Sequence, residues 1–223
     1  MPSQFEVELE ELNRNFLYYC RQVEENIRRS VQSFLKADIS RLDEVVKNDD
    51  VIDRLEIEIE EHCVRLMVKF QPLATDLRFI IAILKMNNDL ERMGDLAVNI
   101  MKKVHIFDKE KTNLEKEGLS FFLPEMVEKV LDMVHKSIDS FVKKDPVLAR
   151  EICKKDDEVD QLKDEMKVLV INKMKDYTGN IKLLTSVLRN SYHLERLADL
   201  ATNIAEDVIY LVEGDIIRHR QFS

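Results

Sequence analysis

The stretch DLERMGDLAVNI at residues 89–100 returns as HLERLADLATNI at residues 193–204, an offset of 104. Two shorter echoes precede it. FLKAD at 34–38 matches FVKKD at 141–145, and NDDVIDRL at 48–55 matches KDDEVDQL at 155–162, both at an offset of 107. The offset falls to 104 for the later stretch, so about three residues are lost around the loop that contains Pro72 in the first half. A repeat this long implies two similar units related by approximate twofold symmetry. The expected halves are 1–110 and 118–223, joined by the polar stretch DKEKTNLEKEG.

Gly and Pro show where each half is broken into elements, because both interrupt helices. The chain has four of each. Most fall at four places: Pro72, the pair Gly118 and Pro124, Pro146, and Gly179. Between them run long segments rich in Leu, Glu, Lys, Ile and Met, all good helix formers. Alternating β-branched runs between turn dipeptides, the mark of strands, are missing. The fold class is therefore all-α, two tandem three-helix bundles, with helices expected at about 4–36, 40–70, 73–107, 122–143, 146–176 and 180–213. Their ends carry an uncertainty of about 2–4 residues.

The apolar spacing supports the same reading. Phe79, Ile83, Met86, Leu90, Met93, Ala97, Ile100 and Val104 follow a 4-3-4-3 rhythm, which lines one face of a helix. The last segment repeats it from Leu183 to Leu211, broken only by Asn190, and the first carries Phe5, Leu9, Leu12, Phe16, Tyr19, Val23, Ile27 and Phe34. Such stripes are expected as core, packed helix against helix in an up-down bundle.

The repeated stretches also carry acids four residues apart: Asp49 with Asp53, Glu91 with Asp95, Asp156 with Asp160, and Glu195 with Asp199. Like charges at this spacing are helix-surface neighbours and cost a few tenths of a kcal/mol each. One such pair means little among 43 acids. Four at equivalent places in a duplication call for a cause. The hairpin turns are expected near residues 71–72 and 178, and each pair of motifs is centred about 20 residues to either side of its turn. Antiparallel helices of equal rise then bring each set of four acids to one level. Axes about 8–10 Å apart let carboxylates from both helices reach a common ion.

Carboxylates so gathered repel unless protonated or neutralised by a cation. Oxygen-only ligation suits Mg²⁺, Mn²⁺, Ca²⁺ and oxidised iron. Asp49 and Glu91 border apolar rows, so the expected site is a rim or groove open to solvent. The competing expectation is of surface acids paired with Arg54, Arg92, Arg196 and Lys163. Gly94, inside a helix, is expected to let a neighbouring backbone or a metal's outer shell come close.

Charge and composition narrow the class further. A formal charge of −9 disfavours a nucleic-acid binder and a membrane-surface helix, while it suits cation binding. No apolar run approaches the roughly 18–20 residues of a membrane span. The opening MPSQFEVELEELNRNF lacks a basic start and an apolar stretch, so no signal peptide is expected. Cys20, Cys63 and Cys153 are scattered and without CxxC spacing, which gives an expectation of reduced thiols in a cytoplasmic protein.

The duplicated ERxxDLAxNI setting with its four E(D)xxxD motifs resembles the PhoU family of phosphate-uptake regulators, across almost the whole chain. That resemblance implies a duplicated three-helix bundle whose acids, Asp49, Asp53, Glu91, Asp95, Asp156, Asp160, Glu195 and Asp199, bind metal clusters. Iron is the expected metal, with zinc, manganese or magnesium also possible and one site or cluster per bundle. The resemblance further implies a cytoplasmic homodimer. It would act as a negative regulator of the high-affinity phosphate ABC transporter and its phosphate-sensing histidine kinase.

Enzyme readings fare poorly, and no catalytic residue is expected. Di-iron bundles use Glu-x-x-His, and none of the five His has Glu three residues before it. GxSxG, a Gly-rich phosphate loop and a plausible Cys–His pair are absent from the sequence. His62, next to Cys63, reads as an ordinary helix residue. A helical adaptor whose acidic faces dock basic partners without metal stands as the alternative, with a carboxylate-bridged di-metal enzyme behind it.

Overall fold

The computed structural model describes residues 2–110, 122–176 and 181–214. Six helices run in order: α1 (Gln4–Lys36), α2 (Leu42–Phe70), α3 (Ala74–Glu110), α4 (Phe122–Lys143), α5 (Pro146–Asp176) and α6 (Ile181–Glu213). Among the described residues there is no strand. The helix ends meet the expectation to within three residues, the largest difference being α3, which continues to Glu110. The middle of the joining stretch (111–121) and the second hairpin turn near 178 lie outside the described residues.

The duplication is written into the backbone at the helix ends. At the end of α1, Ala37 takes the left-handed conformation at φ 51°. Its N–H bonds to the Phe34 carbonyl at 3.2 Å, and the Asp38 N–H to the Ser33 carbonyl at 2.9 Å. At the end of α4, 107 residues later, Lys144 has φ 50°, with N–H bonds from Lys144 to Phe141 and from Asp145 to Ser140 at 3.1 and 2.9 Å. The two closures match bond for bond. Each satisfies carbonyls that a helix end otherwise leaves unpaired. Asp145 then caps α5: its Oδ1 accepts from the Val147 and Leu148 amides at 2.9 and 3.1 Å, with Pro146 at the first helical position, where a missing N–H costs nothing.

α1, α2 and α3 pack on one another, as do α4, α5 and α6. The halves join where α3 meets α6 and α1 meets α4, equivalent helix against equivalent helix, as a twofold relation requires. The stripes read from sequence are the core. Ile83 through Val104 on α3 and Leu183 through Leu211 on α6 are buried, as is Asn190, which interrupts the latter. At the join, the Phe141 ring stacks on Phe79 (5.9 Å, 17°) and takes Phe16 edge-on at 5.2 Å. Cys20, Cys63 and Cys153 are buried and free. No described helix is long and apolar enough to cross a membrane.

Candidate metal centre

Each set of acids is placed by the edge of a core stripe. On α2 the row Val45, Asp49, Ile52, Glu56, Ile59, Cys63 and Leu66 has its five apolar members buried and its two acids half-buried. Glu91 sits half-buried between buried Asn87 and buried Gly94 on α3, while Asp53 and Asp95 point outward and are exposed. The second half repeats the arrangement, with Asp156, Asp160 and Glu195 half-buried and Asp199 exposed. These are rims open to solvent, as the spacing predicts.

The electrostatics show that the acids of each half face one another. Burial pushes the Asp49 carboxyl up to about 6, and the charges of Asp53 on its own helix and Asp95 on α3 add to the shift, while Lys102 offsets part of it. Glu91 is raised by burial and then by Asp95, Glu56 and Asp53; Asp53 is raised by burial, Asp95 and Asp50. In the second half Asp156 is pushed up to about 6 by burial and by Asp160. Asp199, exposed as a residue but with its carboxyl partly shielded by its neighbours, reaches about 6 through that desolvation and the charges of Glu195, Asp156 and Asp160. Carboxylates whose charged forms are disfavoured together gain most from a cation. The structure thus brings together Asp49, Asp53, Glu91 and Asp95 in one set, and Asp156, Asp160, Glu195 and Asp199 in the other.

The PhoU domain family matches the chain twice, over residues 18–104 and 123–208, one match in each half. The chain belongs to the PhoU family. A PhoU homolog from Aquifex aeolicus, described as a phosphate-specific transport system accessory protein, is 37% identical over 216 residues, covering 97% of this chain and 96% of its own. Two crystal structures superpose on the fold. PhoU from Pseudomonas aeruginosa has a TM-score of 0.88 at 32% identity and covers 95% of this chain and 100% of its own. The phosphate transport system regulatory protein PhoU from Streptococcus pneumoniae has a TM-score of 0.84 at 30% identity, with 96% and 99% covered.

Within this chain the two sets differ in how their carboxylates are partnered: Asp160 and Glu195 pair with Lys163, whereas Asp49 Oδ1 has no hydrogen-bond partner. Among the described residues, no three His, Cys, Asp or Glu side chains are already closed into a ligand set. Uncompensated like charges hold carboxylates apart, so closure would need the cation itself. The donor chemistry fits a hard metal nevertheless. Asp49 Oδ1 is buried without a hydrogen-bond partner, an orphaned acceptor at the base of the first rim. A buried carboxylate oxygen without a donor costs free energy that a cation would offset.

At Gly94 the close neighbours are side chains rather than the backbone expected there. A Cβ there would lie 3.1 Å from Ile52 Cγ2 and 3.4 Å from Asp49 Oδ1, so it is α2 side chains, not backbone, that press on the glycine. Gly94 therefore makes room for Ile52, with Asp49 Oδ1 beside it at ordinary contact distance. Ala198 is its counterpart, and the counterpart of Ile52 is the smaller Val159.

Glu56 and Tyr19 escaped the sequence reading of the motifs, whereas Lys163 is among the cations expected there to pair with the acids. Glu56 joins the first set, raised by burial and by Glu60 and Asp53. Tyr19, from α1, lies buried beside that set; its hydroxyl donates to the Asn87 carbonyl at 3.4 Å, and Asn87 Nδ2 donates to the Glu56 carbonyl at 3.0 Å. Burial and then the charge of Glu56 drive the Tyr19 phenol upward, so it stays protonated as a donor. Lys163 pairs with Asp160 and Glu195 at 2.9 and 3.3 Å. Of the four cations weighed as partners of the acids, Lys163 makes ion pairs with them, whereas Arg54 Nε donates to the Asp50 carbonyl.

Proposed function

We propose that this chain is a non-enzymatic regulator of phosphate uptake. In this reading it holds down the high-affinity phosphate ABC transporter and its phosphate-sensing histidine kinase when phosphate is plentiful. It works in the cytoplasm as a homodimer, with metal bound at the two acid sets. The regulatory part is supported by full-length relatives named as accessory proteins of phosphate-specific transport. The observation that carries the metal part is the facing of four carboxylates from two helices in each half, three of the eight groups being pushed to about 6.

Asp49, Asp53, Glu91 and Asp95 would hold one ion or cluster; Asp156, Asp160, Glu195 and Asp199 would hold the other. Iron is the first choice, with manganese, zinc and magnesium behind it. The bound group would supply positive charge that neutralises the carboxylates and ties the two acid-bearing helices of each half together. The chain's own residues do the rest. Gly94 lets Ile52 pack close beside Asp49, and the Tyr19–Asn87 bond ties α1 to α3 just behind the first acids.

Complementation tests this reading. Cells lacking their own copy are grown in phosphate-rich medium, and phosphate uptake and kinase-dependent transcription are measured. The wild-type chain is expected to restore repression, and a chain with Asp53→Ala, Asp95→Ala, Asp160→Ala and Asp199→Ala is expected to leave uptake derepressed. Full repression by that variant would remove these acids, and any metal they hold, from the mechanism. No repression by the wild type would remove the regulatory role itself.

A further inference from the structure

The halves share four acids but differ in a fifth side chain. Seven residues after Asp49 the chain has Glu56; seven residues after Asp156 it has Lys163. Both are half-buried at the edge of their rim. Lys163 Nζ lies 2.9 Å from Asp160 Oδ1 on its own helix and 3.3 Å from Glu195 Oε1 on α6, with Asp164 Oδ1 at 3.9 Å. Its side chain is only 15% exposed. The ammonium thus bridges carboxylates of two helices, which is the electrostatic service a bound cation would perform there.

The first half has no such bridge. Among the described residues none of Asp49, Asp53, Glu56, Glu91 and Asp95 is held in an ion pair, and Asp49 Oδ1 is left without a donor. Formal charges keep the contrast: five carboxylates with Lys102 near Asp49 give −4 in the first set, and four carboxylates with one bridging ammonium give −3 in the second. A protonated lysine has three donors and no lone pair, so it competes with a metal for carboxylate oxygens and cannot join it as a ligand.

We propose that Lys163 is a built-in counter-ion that makes the two acid sets unequal: the first is the high-affinity cation site, and the second takes a cation only by displacing the lysine ammonium. This rests on the metal-binding reading above. A competitor tethered to the site is present at high effective concentration whatever the metal level, so it sets a threshold rather than a block. The flexible stem of a lysine lets its head swing toward water once displaced. The two halves then fill at different metal concentrations, and Lys163 sets the gap.

The test separates the halves. One chain carries Asp160→Ala and Asp199→Ala, leaving the first set; another carries Asp53→Ala and Asp95→Ala, leaving the second. Each is stripped with chelator and titrated with manganese(II), and the free ion is read by electron paramagnetic resonance. The first-set chain is expected to bind about tenfold or more tightly than the second-set chain, given one more unit of negative charge at close range and no tethered ammonium to displace. Adding Lys163→Glu to the second-set chain is expected to close the gap, and adding Glu56→Lys to the first-set chain to weaken it. Where Lys163→Glu does not fold, Lys163→Gln serves, with an intermediate gain expected.

A lysine that is merely structural would lower the metal-free melting temperature on substitution without tightening manganese binding, and that outcome overturns the proposal. So do equal affinities in the two chains with no response to Lys163→Glu; that result leaves metal binding intact. Manganese uptake by neither chain overturns both readings together.

Discussion

Lys85 Nζ lies 3.1 Å from Asp207 Oδ1 across the seam where α3 packs on α6, and Asp207 is buried. The ammonium also stands 4.5 Å from the centre of the Tyr210 ring. The duplication does not repeat this pair: the equivalent positions hold Arg189 and Lys103. One charged tie therefore locks the two halves at one end of their joint. Lys85→Met is expected to destabilise the protein by about 1–3 kcal/mol, below the range for a fully buried pair because the lysine is a third exposed. A fall in the urea midpoint at constant slope would show it; an unchanged midpoint would mean that packing alone holds the joint.

Gly94 and Ile52 behave as one packing unit, with Ala198 and Val159 as the alternative solution in the second half. Gly94→Ala adds a methyl 3.1 Å from Ile52 Cγ2, which opposes a helix-propensity gain of about 1 kcal/mol. Ile52→Ala removes that γ-methyl and alone leaves a gap. The double substitution is expected to be more stable than the sum of the singles, by about 0.5–3 kcal/mol in a double-mutant cycle. Strict additivity would show that the two side chains do not compete for the same space.

The sequence carried the fold because both halves obey the same local rules. Every stripe residue from Ile83 to Val104 is buried, and the breaks fall at Pro72 and Pro146 or beside them. Asp49 and Glu91 were legible as rim residues because each borders an apolar row. Glu56 was not, because it lies outside the ExxxD spacing and joins the site only through the helix surface one turn further on; Lys163 was legible as a partner of the acids but not as a bridge between two helices. Tyr19 was read as plain core. Its place behind the acids depends on how α1 docks on α3, which no spacing within a single helix encodes. The purpose of Gly94 likewise depended on which side chain of α2 would face it.

Ala37 and Lys144 occupy left-handed positions that disfavour any residue with a Cβ. Ala37→Gly and Lys144→Gly are each expected to raise stability by about 0.5–1 kcal/mol, less any entropy the glycine adds to the unfolded chain. Thermal melts of the single and double variants check it. A loss of stability in both would mean that the unfolded chain, not the native strain, decides the balance.

Acidity should reveal the strain in the rims. Asp49, Asp156 and Asp199 titrate at about 6 in the folded chain against 3.8 for a free group. Between those values the folded chain holds more protons than the unfolded one. Their stabilising contribution is therefore complete below about pH 4 and is lost as pH rises through about 6. Burial sets most of this, and neighbouring acids add to it: Asp53, Asp95 and Asp50 around Asp49, against Lys102; Asp160, Asp157 and Glu195 around Asp156; and Glu195, Asp156 and Asp160 around Asp199, against Lys163. His62 and His193, lowered by burial, act in the opposite sense, so the readout is a difference between chains. Metal-free Asp49→Asn and Asp156→Asn are expected to be more stable than wild type near about pH 7.5, with the advantage shrinking toward about pH 5. A constant difference across that range would contradict the shift.

Metal content measured by elemental mass spectrometry, on protein purified without chelators, addresses the acid sets themselves. The wild type is expected to carry iron or another hard metal. Loss of Asp53 and Asp95 should remove the first half's share, and further loss of Asp160 and Asp199 should remove the remainder while the helical fold persists. Metal content that is unchanged in the four-fold variant, or a wild type that takes up no metal even when supplied with it, would contradict the assignment of these eight carboxylates as cation ligands.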